Sequence, residues 1–171
     1  MLKLNHQQCE DSMLTFLNND IVVIGAMSES GAIGNGDGMP WNVPEEYQHF
    51  VDSVRDKTVI MGRRSYDIFG ADFDADTFVL SHTAEIAGAT VCRSFDDAIS
   101  QAKQLHKTIF IAGGASIYEL GIPAATRLLL STIKGDYHGD VSFPNFNRNE
   151  WEVVWQEDRP NYILRDWRRN S

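Results

Sequence analysis

The chain has 171 residues, 43% of them apolar and 11% aromatic, which suits one globular domain that buries about 70% of its unfolded surface. Twenty-four acidic against fifteen basic residues give a net charge of −9, which argues against nucleic-acid or anionic-membrane partners. No window approaches the roughly 20 apolar residues of a membrane span, and Cys9 and Cys92 form no CxxC pair, which argues against a disulfide framework and leads to the expectation of a cytoplasmic location.

Residues 1–19 lack a basic start, an apolar run and a small-residue cleavage site, so they read as a loose extension, with Met13 an alternative start. The domain is expected over 20–171. Ile21 to Met27 is a continuous apolar run, as for a central strand buried on both faces. A glycine-rich loop over Gly31 to Met39 leads to Pro40-Trp41. Pro44 then opens a helix, because its missing N–H costs nothing in a first turn, and Tyr47, Phe50, Val51 and Val54 mark its apolar face.

Thr58 to Met61 predicts a second strand. Gly62-Arg63-Arg64-Ser65 turns into a helix carrying Tyr66, Ile68 and Phe69, with Gly70 as its stop. Strands are expected over Thr77 to Leu80 and Thr90 to Cys92, then an amphipathic helix over Phe95 to Leu105. Thr108 to Ala112 predicts a buried strand closed by Gly113-Gly114, followed by a helix around Ile117, Tyr118 and Leu120. Arg127 to Ile133 is the next strand. A terminal hairpin pairs Trp151, Val153 and Trp155 with Tyr162, Ile163 and Leu164. Strands alternating with helices indicate an α/β fold with parallel strands joined by crossovers.

Several patterns resemble sites and fail on detail. Asp72, Asp74 and Asp76 have calcium-loop spacing, but Thr77 replaces the glycine and Thr83 the closing glutamate. Gly34-Asn35-Gly36-Asp37-Gly38 misses the dinucleotide spacing and runs into Pro40, so flexibility explains those glycines better. No GxxxxGK[ST], HExxH or GxSxG string occurs.

Three features carry chemistry. Glu46 lies one turn before Phe50 and two before Val54, at the edge of the apolar face, where a carboxylate is partly buried and its pKa rises. Position alone favours the plainer alternative, in which Glu45 and Glu46 complement the helix dipole in solvent. Gly62-Arg63-Arg64-Ser65 puts two guanidinium groups and a capping hydroxyl at a helix N-terminus, an anion site or equally an exposed basic turn. Gly113-Gly114 would let the backbone approach a ligand at the carboxyl end of the sheet, and a tight turn explains it as readily.

Taken in order, Ile33-Gly34, Met39-Pro40-Trp41-Asn42 with Pro44 and Glu46, Val59-Ile60-Met61-Gly62-Arg63, Ala112-Gly113-Gly114 with Ile117-Tyr118, and Gly139-Asp140 with Phe143-Pro144 resemble dihydrofolate reductase across about Ile21 to Arg168. The resemblance implies a single-domain, mostly parallel eight-stranded sheet with about four helices and an antiparallel C-terminal hairpin. It implies NADPH-dependent reduction of 7,8-dihydrofolate to tetrahydrofolate, supporting one-carbon and thymidylate metabolism, in a monomer.

By the same resemblance Glu46 is the pterin-pocket acid, Trp41 holds an ordered water near it, and the Ser131 hydroxyl lies against it. Ile24 and Gly25 offer backbone to the pterin, and Phe50 packs on the pterin or benzoyl ring. The cofactor would meet Ala26, Ile33, Gly34 and Met39 from the first strand and lid. Gly62, Arg63, Arg64 and Ser65, with Ser81 and His82, would take its phosphates. Ala112, Gly113, Gly114, Ser116, Ile117 and Tyr118 would line its nicotinamide side, with a cis peptide between the two glycines.

Two positions depart from the family. Asp74-Ala75-Asp76 stands where the family carries a Pro-Gly-Arg type element that grips the folate α-carboxylate, and Ser116 replaces a basic residue near the cofactor. The first departure keeps open a reductase of a tail-less pterin or of a riboflavin-pathway pyrimidine. The remaining alternative is a ligand-binding domain without catalysis.

Overall fold

The computed structural model describes residues 20–36, 38–82 and 85–171; the N-terminal extension, with Cys9 and Met13, lies outside them. Eight strands form one sheet in the order β5-β4-β3-β6-β1-β7-β10-β9. They are β1 (Ile21–Ser28), β3 (Thr58–Gly62), β4 (Asp76–Leu80), β5 (Thr90–Cys92), β6 (Ile109–Ile111), β7 (Arg127–Ile133), β9 (Trp151–Asp158) and β10 (Tyr162–Arg169). Only β10 runs against the others, pairing antiparallel with both β7 and β9. A two-stranded sheet joins β2 (Ala32–Gly34) to β8 (Val141–Ser142).

Strand β1 is central because every residue from Ile21 to Ile24 can be buried. Alternation sends Ile21 and Val23 to one face and Val22 and Ile24 to the other. On the first face lie α3 (Phe95–Lys103), through Phe95, Ala98 and Ala102, and α4 (Ala115–Gly121), through Ile117 and Tyr118. On the second lie α1 (Pro44–Val54), through Phe50 and Val54, and Tyr66 of α2 (Arg63–Phe69). Ser94 caps α3 by accepting from the Asp97 N–H.

Three expectations need correction. The Gly31 to Met39 segment is not wholly a loop, since Ala32–Gly34 pairs with a strand more than a hundred residues away. Ser65 does not cap α2: the N-cap is Gly62, which has no side-chain oxygen to offer. Helix α3 ends at Lys103, two residues early, and His106 takes a left-handed φ of 54° beyond it.

Strand β7 is anchored to β10 by a fully buried ion pair, in which Arg127 Nε and Nη2 donate to the two Asp166 carboxylate oxygens at 2.8 Å each. Both side chains are almost completely removed from solvent. The fork geometry satisfies the carboxylate from two directions, as burial of a charge requires.

Candidate active site

The carboxyl ends of β1, β3 and β6 meet where the chain, having run outward to β5, returns to insert β6 between β3 and β1. Ligands bind at such reversals because neighbouring crossovers leave on opposite faces and open a crevice. Two hollows occupy this edge and join through Ile33, Ser65, Phe69 and Gly114.

The inner hollow is a slot of about 110 Å³ lined by Ile24, Gly25 and Ala26 of β1, Met39, Glu46, Phe50, Ala112, Gly113 and Tyr118. Glu46 is its acid. Val43 is the N-cap of α1 and Pro44 starts the helix, which places Glu46 in the first turn with its side chain inward. It is only 5% exposed, whereas Glu45 beside it faces solvent and accepts from Asn161 Nδ2 at 2.7 Å.

Burial raises the Glu46 pKa from 4.5 to about 7, because the ionised form loses its hydration. The Ser131 hydroxyl on β7 lies close enough to lower it slightly, yet its buried Oγ falls short of a full hydrogen bond. No histidine charge offsets the burial: His49, one turn further along α1, is itself held down to about 4 by burial and is neutral near pH 7. The indole Nε1 of Trp41 is buried without a protein partner and presents a donor for a small polar ligand such as water.

The backbone at the slot is close-packed. A Cβ on Gly25 would stand 2.7 Å from the Tyr118 hydroxyl, which donates to the Ile24 carbonyl at 2.9 Å. Gly113 takes a φ of 101°, a left-handed conformation natural to glycine, and the peptide joining it to Gly114 is cis. Its carbonyl accepts from the Gly62 N–H at 2.8 Å, which ties the two glycine turns together.

The outer cavity, about 520 Å³, is lined by Gly34, Gly62, Arg63, Arg64, Ser65, Gly114, Ser116 and Ile117. Both α2 and α4 begin on it at glycines, Gly62 and Gly114, without side-chain caps, so their first N–H groups face an anion's place. Arg63 holds Asp67 through Nε at 2.9 Å while its Nη1 is buried and partnerless. Arg64 Nη2 donates to the Gly36 carbonyl, joining the lid to α2. Two guanidinium groups, an unpaired buried N–H and two uncapped helix starts fit a nucleotide with several phosphates.

Most sequence-assigned residues converge on these hollows. Neither Trp41 nor Ser131 lines the slot: Trp41 is buried in the core on the α1 side of the sheet, and Ser131 of β7 lies against Glu46. Ser81 follows β4 and donates its N–H to the Cys92 carbonyl; His82 is exposed, and neither lines a hollow, although Leu80 just before them does. Sequence reasoning missed Met61, Phe69 and Val141 as lining residues, and the hydroxyl of Tyr47, which donates to Asp72 Oδ2 at 2.6 Å. Helical spacing marked Tyr47 as apolar, and nothing in the sequence signals a bond to a residue 25 positions away.

The lid is fastened at its base. Gly31 O accepts from the Phe143 N–H at 2.8 Å, and the Ser28 hydroxyl accepts from the Ala32 N–H at 3.0 Å. Gly139 packs so closely that a Cβ there would stand 1.9 Å from the Gly34 carbonyl oxygen.

A phosphate-ready cavity and an apolar slot with one buried acid, meeting at a glycine pair on the carboxyl edge of the sheet, define a two-ligand α/β fold. The family model described as dihydrofolate reductase matches residues 20–163, and the chain belongs to that family. It is 32% identical over 140 residues to dihydrofolate reductase type A13 of Escherichia coli, covering 80% of this chain and 85% of that one. It is 26% identical over 162 residues to dihydrofolate reductase HdrB of Haloferax volcanii, covering 88% and 84%. A solved dihydrofolate reductase of Enterococcus faecalis, complexed with NADP(H) and RAB-propyl, superposes with a TM-score of 0.83 at 24% identity, over 92% of this chain and all of that one.

Proposed function

We propose that the protein reduces 7,8-dihydrofolate to tetrahydrofolate with NADPH, using Glu46 as the pocket acid. The observation that carries this reading is the buried carboxyl of Glu46, poised near pH 7 in a slot that opens directly onto the phosphate-ready cavity. Bound NADPH supplies a hydride to C6 of the pterin.

Everything else falls to the chain. Arg63, Arg64 and Ser65, with the N–H groups at the starts of α2 and α4, hold phosphate oxygens, and the second guanidinium suits a 2′-phosphate. Gly113 and Gly114 let the redox-active ring approach β1 without a Cβ between them. Ile24, Gly25 and Ala26 present backbone to both ligands, and Phe50 packs on the substrate's rings.

Glu46 accepts hydrogen bonds from the pterin's amino and ring N–H groups and fixes its orientation. The proton for N5 arrives through a water held by the Trp41 N–H. Glu46, near half-protonated at pH 7, keeps a proton within reach of that water, and its protonated form is the one that serves the step. Ser131 offers its hydroxyl to the ionised form. Arg64, by holding the Gly36 carbonyl, keeps the lid over the slot and excludes water.

This reading keeps Ser81 and His82 as phosphate contacts at the far end of the cofactor, beyond Leu80, and it favours dihydrofolate over a riboflavin-pathway pyrimidine because the slot carries the pocket acid. It takes the protein as a cytoplasmic monomer with no nucleic-acid or membrane partner; no helix among the described residues is long and apolar enough to cross a membrane. Light scattering on the purified chain checks the monomer. The test of function is dihydrofolate-dependent oxidation of NADPH by the purified protein: tetrahydrofolate formed in step with NADPH consumed is expected, and no product overturns the reading.

A further inference from the structure

The solvent end of the slot is built differently from its acid floor. Tyr47, Phe50 and Phe69 wall it, with Tyr47 ring centroids 6.0 Å from both phenylalanines. Phe73 extends the wall, edge-on to Phe50 at 5.5 Å and 77°. These rings are partly exposed and offer flat apolar faces spaced for stacking with another ring.

The charges beside them have one sign. Among the described residues no lysine or arginine lines the slot. Asp72, exposed, is held by the hydroxyl of slot-lining Tyr47 at 2.6 Å, and Asp74 two residues on is exposed. Two cations of this region are engaged: Arg55 pairs with Asp52 at 2.7 Å and Lys107 with Asp76 at 2.7 Å. A ligand that leaves the slot as a carboxylate therefore meets aromatic faces and fixed negative charge, with no fork to receive it.

We infer that the mouth of the slot recognises the aromatic ring attached to the pterin and gains nothing from a glutamate tail, with Tyr47 and Asp72 as its specificity-determining residues. The substrate class is thus a reduced pterin bearing a benzoyl-type ring, accepted with or without glutamate. This rests on the dihydrofolate reading above. Asp72 acts through space on the tail, and the Tyr47 hydroxyl fixes where that charge stands. At about 7 Å through water, one such charge lowers the association of each tail carboxylate by about threefold at low salt.

The test is steady-state kinetics with saturating NADPH on dihydropteroate, dihydrofolate and dihydrofolate extended by further glutamates, at low and moderate salt. The expected result is a kcat/KM that stays level or falls along the series, with the fall carried by KM and flattened by salt. A rise of about tenfold or more from dihydropteroate to dihydrofolate, the gain a charge-assisted contact gives, overturns the inference while leaving the reductase reading intact. Turnover of none of the three overturns the reductase reading itself. Asp72→Asn should raise the kcat/KM ratio of dihydrofolate to dihydropteroate by about threefold for each tail carboxylate that lies about 7 Å away. An unchanged ratio in a folded variant removes Asp72 from specificity.

Discussion

Glu46 should cost the fold stability at the pH where the enzyme works, and Glu46→Gln should recover it. The distance between its ordinary pKa of 4.5 and about 7 in the folded chain corresponds to about 3 kcal/mol. Its sign follows from the cause: burial favours the protonated acid, so this contribution is complete below pH 4.5 and is lost as pH rises through 7. Glutamine keeps the shape of the protonated acid at every pH, and its amide can donate to the partnerless Ser131 Oγ. Urea unfolding followed by tryptophan fluorescence should show variant and parent equal near pH 4. At pH 8 the variant should be more stable by about 3 kcal/mol, or about 6–12 °C in Tm for a domain of this size. A variant no more stable than the parent at pH 8 would show that Glu46 is not buried as an unpaired acid.

Replacing Arg63 and Arg64 together by alanine should weaken NADPH by about tenfold to a hundredfold, and NADH far less; equal losses in fluorescence titrations would sink the 2′-phosphate assignment. Gly25→Ala puts a methyl 2.7 Å from the Tyr118 hydroxyl and should cost about 1–3 kcal/mol with a fall in turnover. Adding Tyr118→Phe, which removes the clashing oxygen, should restore part of that stability. Asp166→Ala removes both carboxylate oxygens from the buried Arg127 guanidinium and should cost about 3–5 kcal/mol in equilibrium unfolding.

What was legible in the sequence had a local cause. The apolar run Ile21 to Ile24 has one comfortable place in a sheet, between two covered faces. The spacing Glu46, Phe50, Val54 put the acid on the inward edge of α1 before its burial was visible. The chemistry of that acid was not legible from position, because a solvated first turn has the same spacing; the difference lies in its burial against Ser131 of β7. Pairings distant in the chain were also hidden. Ala32–Gly34 is too short to read as a strand, and it forms one only because Val141–Ser142 arrives beside it. Arg127 and Asp166 looked like ordinary charges in two strands, and only their diagonal placement across β7 and β10 makes them a core element. Asp72, Asp74 and Asp76 looked like one acidic feature and have separate fates: Asp72 holds Tyr47, the Asp74 carbonyl accepts from the Asp56 N–H, and Asp76 pairs with Lys107.

The central claim is that a near-neutral Glu46 serves the reduction, and the pH dependence of dihydrofolate turnover tests it most directly. The parent enzyme should lose activity as pH rises through about 7, where Glu46 ionises and its proton leaves the pocket. Glu46→Gln should turn over at less than about a hundredth of the parent rate at pH 7, with NADPH affinity retained and no inflection near 7. Parental turnover with the same inflection in that variant would contradict the account.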